Sequence, residues 1–189
     1  MEKSTALHCS TNILLPMSDT DVLETYDLLR TIGSKKLTLY PRTYFNDAKR
    51  LPPRPFIVLY ELTPNVGHWI LVHDTSDENV GSCIEFFDSY GLIPEVEQHF
   101  ISPRFRDILG DSSANLLRLL WSETGGRVIF NCERLQGPNT ATCGRHCIAR
   151  LLCGNKSIDS YIDSLRWLTT YLQSTPDELV TYLTLSPSA

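Results

Sequence analysis

Gln136-Gly137-Pro138-Asn139-Thr140-Ala141-Thr142-Cys143-Gly144-Arg145-His146-Cys147 is the stretch around which the rest of the chain is organised. Gly137, Pro138 and Asn139 interrupt regular structure, while Ile148, Ala149, Leu151 and Leu152 form a helix-compatible apolar run. A loop should therefore pass into a helix near Thr142, the natural N-cap. Cys143 then falls in the first helical turn, where unpaired N–H groups and the positive end of the helix dipole favour thiolate over thiol. Gly144 leaves no side chain in the path of a carbonyl approaching the sulfur.

A thiolate nucleophile needs a proton donor for the leaving group and hydrogen-bond donors for the oxyanion. Gln136, seven residues before the thiol, carries a side-chain amide that could join the backbone N–H of Cys143 in a two-donor hole. His68 opens the apolar run Trp69-Ile70-Leu71-Val72 and is the candidate base. Asp88 closes the run Ile84-Glu85-Phe86-Phe87 and is the candidate for orienting it. The polar stretch Asp74 to Ser82 reads as the turn between two antiparallel strands, which would set His68 and Asp88 side by side.

Each choice has a plainer rival. Cys143 could be a buried structural thiol, and Cys147, Cys132 and Cys153 read as core. His146 could compete as the base, but on the same helix as Cys143 it cannot readily lie across a cleft from the thiol. His73, five residues past His68 on one strand, belongs to the opposite face. Trp69 is either a core aromatic or a shield over a His–thiolate pair, and Asp88 could be only a turn-former. Cys143, His146, Cys147 and Cys153, with or without Cys132, could instead ligate a structural zinc. Cys-x2-His-Cys along one helix gives poor ligand angles, however, so neither a metal nor another cofactor is expected.

His68-Trp69, an acid twenty residues on, then Gln136-Gly137-Pro138-Asn139 and Cys143-Gly144 resemble the adenovirus-type maturation proteases, within the larger group that includes SUMO-deconjugating proteases. The order His-Asp-Gln-Cys is that group's signature, a circular permutation of the papain order. The spacing of Gln136 and Cys143 looks closest to the adenovirus and virophage or giant-transposon branch. The resemblance covers His68 to Cys147. It implies an α+β, papain-like fold with a mixed or antiparallel central sheet and the nucleophile at the start of a buried helix. It also implies roles: Cys143 nucleophile, His68 base and acid, Asp88 orienting group, Gln136 oxyanion donor. The implied activity is cleavage after Gly in viral structural precursors during virion maturation, with deconjugation of SUMO or ubiquitin as the alternative. Two features depart from the adenovirus enzyme. That enzyme has Glu at the position of Asp88, and it is basic and uses DNA as a cofactor.

This chain is acidic. With 17 Lys and Arg against 22 Asp and Glu and no cationic block, a broad phosphate-binding face is excluded and DNA is not an expected partner. A protein substrate is expected, and an activating peptide is left open. The 189 residues fit one domain, residues 1–189, large enough to bury a core without disulfides. Nothing at the N-terminus resembles a signal peptide, so the six cysteines read as reduced thiols in host cytoplasm, nucleus, viral factory or virion. No apolar run reaches the roughly 20 residues that span a bilayer.

The outer segments read as scaffold. Ser18 to Ile32 is an expected first helix, Leu37 to Tyr40 a short strand, and Pro41 to Pro55 a loop that could wall a substrate groove. Phe56 to Leu62, apolar throughout apart from Glu61, reads as a strand buried on both faces. Pro94 to Leu109 suggests one or two short helices and Ser112 to Glu123 a firmer one. Gly125-Gly126 reads as that helix's stop rather than a self-cleavage site. Arg127 to Cys132 is a further strand. Asp159 to Gln173 is an amphipathic helix, and Pro176 opens a final one.

Overall fold

The computed structural model describes residues 37–63, 66–77, 81–96, 102–109, 115–154 and 156–184. Five strands form one mixed sheet: β1 (Thr38–Pro41), β2 (Phe56–Thr63), β3 (Val66–Asp77), β4 (Gly81–Phe87) and β5 (Val128–Phe130), side by side in chain order. β2, β3 and β4 are antiparallel neighbours, and the two outer pairs are parallel. Parallel neighbours need a crossover. A 3-10 helix at Arg42–Asn46 lies in the first, and α1 (Pro103–Leu109) and α2 (Asn115–Thr124) lie in the second. After β5 come α3 (Cys143–Leu152), α4 (Ile158–Leu172) and α5 (Pro176–Leu183). The fold is α+β, as expected. The anticipated helix over Ser18 to Ile32 lies outside the described residues.

Side-chain alternation along the sheet builds two cores. Ile57, Leu59, Trp69, Leu71 and Phe87 turn to one face and pack with Cys147, Ile148, Tyr161, Ile162 and Leu165 of α3 and α4. Phe56, Val58, Tyr60, Ile70, Val72 and Phe86 turn to the other and pack with Phe45 and with Leu116, Leu119 and Leu120 of α2. β2 is thus buried on both faces, which explains why its apolar run does not alternate. Burying each such side chain contributes about 1.5–3 kcal/mol.

Two expectations change. Asp74 to Ser82 is not all turn: Asp74, Thr75, Ser76 and Asp77 pair with Ile84, Cys83, Ser82 and Gly81. Polar residues stay in the ladder there because backbone groups make the pairing and exposed Asp74 is held by Arg54, Nε to Oδ1 2.6 Å. Cys132 is exposed rather than core, since β5 ends two residues before it. Gly125 and Gly126 end α2 with φ of +60° and +88°, the left-handed conformation of a helix stop. Among the described residues, no helix is long and apolar enough to cross a membrane.

A buried ion network joins the sheet to α3. Arg150 grips Glu85 of β4 with two bonds, Nε to Oε1 2.7 Å and Nη2 to Oε2 2.6 Å. His73 of β3 adds a contact to Glu85 of 3.5 Å, and the Arg150 guanidinium lies over the Tyr161 ring. His73 therefore belongs to this structural network.

Candidate functional site

The site lies at one end of the sheet. β4 leaves its ladder with β3 after Phe87, opposite Leu71, while β3 begins earlier, at Val66. His68 is thus beyond the last paired residue of β4, where the Asp88-Ser89-Tyr90-Gly91 turn replaces a strand neighbour. His68 Nε2 meets Asp88 Oδ1 at 2.7 Å, and the Tyr90 backbone N–H donates to the same oxygen at 2.7 Å. The Tyr90 ring stacks on the imidazole, with centroids 4.6 Å apart and planes inclined by 22°.

Cys143 is close enough to His68 to act on its protonation. Burial by itself would lower the His68 pKa, but the bond to Asp88 and the nearby Cys143, with the charges of both, outweigh it and raise it to about 10. The imidazolium form is therefore favoured far above the ordinary histidine range. Burial and the neighbouring Cys143 charge likewise raise the Tyr90 hydroxyl pKa, so Tyr90 stays neutral.

Cys143 is the first residue of α3. Thr142 occupies the N-cap position but makes no side-chain cap bond. Its hydroxyl donates instead to Asp177, which corrects the capping expectation and leaves the first-turn N–H groups without a side-chain cap. One turn on, Cys147 is fully buried and its Sγ donates to the Trp69 carbonyl at 3.5 Å. Burial pushes that thiol pKa well up, which keeps Cys147 protonated.

Gln136 lies on the loop entering α3, buried, with its amide held at both ends: Nε2 donates to the Thr140 carbonyl at 2.8 Å and Oε1 accepts from Ser89 Oγ at 2.7 Å. Because the amide has two N–H hydrogens, one remains beyond the Thr140 bond. The loop is fastened to the Asp88 turn. The Ser89 carbonyl accepts from the N–H groups of Leu135 at 2.8 Å and Gln136 at 2.9 Å, and Asn131 Oδ1 accepts from the Asp88 N–H at 2.9 Å. Asn131 Nδ2 returns a bond to the Asp88 carbonyl. Gly91, at φ +73°, lies so close to Glu133 that a Cβ would stand 2.7 Å from its carbonyl carbon.

The structure thus joins His68 to Asp88, brings Cys143 near it, and sets Gln136 on the loop leading to the thiol. It also shows residues that the sequence reading passed over. Ser89 and Tyr90 follow Asp88 with no motif to mark them, and Asn131 falls within the Arg127 to Cys132 run expected as a strand. Asp177 carried no signal beyond its place after Pro176. Its Oδ2 accepts from the Gly137 N–H at 2.9 Å, and its Oδ1 accepts from Thr142 Oγ1, Thr140 Oγ1 at 3.1 Å and His146 Nε2 at 3.2 Å. Burial would raise the Asp177 pKa, but the bonds from His146, Thr142 and Gly137 bring it down to about 2. His146 is wholly buried, with Nε2 directed to Asp177. Among the described residues, no three His, Cys, Asp or Glu side chains converge as a metal site requires.

No protein-family model matches the chain. It is similar to a viral protein, "Uncharacterized protein V9" of the Sputnik virophage, with 29% identity over 169 residues, covering 86% of this chain and 94% of the relative. The similarity thus extends well beyond the His68 to Cys147 segment.

Proposed function

We propose that the chain is a cysteine endopeptidase of the adenovirus-type maturation class, with a permuted papain-like fold, acting on viral structural precursors. The observation that carries this reading is buried His68 bonded to Asp88 at 2.7 Å, with Cys143 near enough to help raise its pKa to about 10. A cysteine kept only for packing has no need of a buried acid–imidazole pair. Similarity to a virophage protein supports the viral setting.

In the proposed mechanism Cys143 gives its proton to His68, and Asp88 holds the imidazolium in place. The sulfur attacks the scissile carbonyl, and the Cys143 N–H with the remaining Gln136 amide hydrogen binds the oxyanion. His68 returns the proton to the departing amine as the C–N bond breaks. Water, deprotonated by His68, then hydrolyses the thioester and the thiol re-forms. Cys143 and His68 are 7% and 8% exposed, so both reacting groups are largely shielded from water, and cleavage after Gly rests on the family resemblance. The partner is a polypeptide, and the net charge of -5 argues against DNA.

The test is labelling with an electrophile on a Gly-Gly peptide, the modified cysteine being located by mass spectrometry. Labelling of Cys143 that is lost in His68→Ala is the expected outcome, and labelling spread over several thiols and indifferent to His68 refutes the pair. Cleavage should vanish in Cys143→Ala and fall about 10²–10⁴-fold in His68→Ala, the usual range for acid–base catalysis. Asp88→Ala should lose less than His68→Ala.

A further inference from the structure

We infer that Asp177 is a positioning residue that fixes the Gln136–Thr142 loop in the shape its oxyanion donors require. This rests on the proposed thiol hydrolase and deepens it, because it assigns a role to a residue 34 positions beyond the nucleophile. Asp177 lies at the start of α5, in the first turn after Pro176, and touches no reacting atom.

An ionised carboxylate accepts at about four lone-pair sites. Around Asp177 these sites face the Gly137 N–H, the Thr140 and Thr142 hydroxyls and His146 Nε2, which must carry hydrogen to bond an acceptor-only group. The first three span the loop from one end to the other, and the fourth is one turn inside α3. A single side chain therefore ties the loop to the helix that carries the sulfur. Thr140 passes the constraint on: its hydroxyl hydrogen is shared between Asp177 and the Gly137 carbonyl, 3.0 Å away, while its own carbonyl accepts from Gln136 Nε2. Without the carboxylate, nothing from α5 holds Thr140, and the Gln136 amide loses the fixed acceptor that orients it.

Gly137 fits the same reading. A Cβ there would stand 3.0 Å from Asp177 Oδ2, tight enough that an added methyl would push the carboxylate back by a few tenths of an ångström. The His68–Asp88 pair meets the loop through Ser89 but also has supports that Asp177 does not touch, the Tyr90 N–H and Asn131. Loss of Asp177 should therefore spare the activated thiol and damage the oxyanion loop.

Two reactions of Cys143 separate these effects. Alkylation by iodoacetamide needs the thiolate and builds no oxyanion, whereas turnover of a peptidyl-Gly-Gly aminocoumarin amide needs both. In Asp177→Asn the amide kcat should fall about 10- to 100-fold, short of the 10²–10³ lost with a whole oxyanion donor. Alkylation of Cys143 should stay within about twofold, since the dyad keeps its Tyr90 and Asn131 supports. Gly137→Ala, which pushes the carboxylate away without removing it, should show the same split and guards against a folding failure of the first variant. Both rates falling together in both variants, or neither changing, overturns the inference while leaving the hydrolase standing. Wild-type Cys143 that alkylates no faster than in His68→Ala overturns the hydrolase and the inference with it.

Discussion

At His68 two large effects oppose each other, and the outcome fixes how the site should respond to pH. Burial alone would strip the proton from the imidazole, but Asp88 and Cys143 hold it on to about pH 10. The alkaline limb of kcat/KM should therefore fall near 10 rather than near 6.5, and Asp88→Asn should move it down by removing one of the two supports. A wild-type limb near 6.5 in a pH–rate profile means that the pair is not formed. Linkage has a definite sign here. The folded pKa is raised, so the stability contributed by His68 is fully present below pH 6.5 and is lost as pH rises through about 10. Gly91 is the other single-residue lever. Gly91→Ala puts a Cβ into the Glu133 backbone at a left-handed φ of +73°. It should cost about 1–3 kcal/mol in urea unfolding and lower activity by parting the Asp88 turn from the Gln136 loop.

The join between β4 and α3 sets the stakes at the level of elements. Glu85 and Arg150 are both 0% exposed, so each depends on the other for its charge. Burial would raise the Glu85 pKa, yet His73 and Arg150 lower it below 4.5. Its contribution to stability is therefore present above pH 4.5 and lost as pH falls through the lowered folded value. Arg150→Ala should cost about 3–5 kcal/mol at neutral pH, because it leaves a carboxylate buried without its strongest partner, whereas paired apolar replacements of Glu85 and Arg150 should cost far less. Urea midpoints at pH 7 and pH 4 check both claims, and the single variant should lose less on acidification than the wild type. Element identity was largely legible from local pattern: β2 from its non-alternating apolar run, α3 from the Gly-Pro-Asn loop before Cys143, and α5 from Pro176, which the structure shows inside a Thr175/Glu178 capping box. What depends on tertiary neighbours was not legible. Strand pairing through Asp74–Asp77 is made by the backbone, Thr142 turned from its cap to Asp177, and Arg150 sits in an apolar helical run where nothing local marks Glu85 as its partner.

Over the whole molecule, the site is assembled from segments that meet only when the sheet and its helices are complete: His68 at the start of β3, Asp88 past the end of β4, Asn131 past β5, Cys143 at the head of α3 and Asp177 on α5. Loop-closure entropy opposes such an assembly in any partly folded chain, so a locally preserved site is not expected. The molecule carries its own reporter. Trp69, next to His68, is 6% exposed within the core shared with α3, while Trp121 and Trp167 are 57% and 65% exposed. In a Trp121→Phe, Trp167→Phe variant, emission therefore comes from Trp69 alone. The Gly-Gly amide activity and the Trp69 emission of that variant should decline in urea with coincident midpoints, as a two-state transition requires. Activity lost well before the Trp69 transition would mean that the Gln136–Thr142 loop opens on its own, and Asp177→Asn should then widen the gap between the two midpoints.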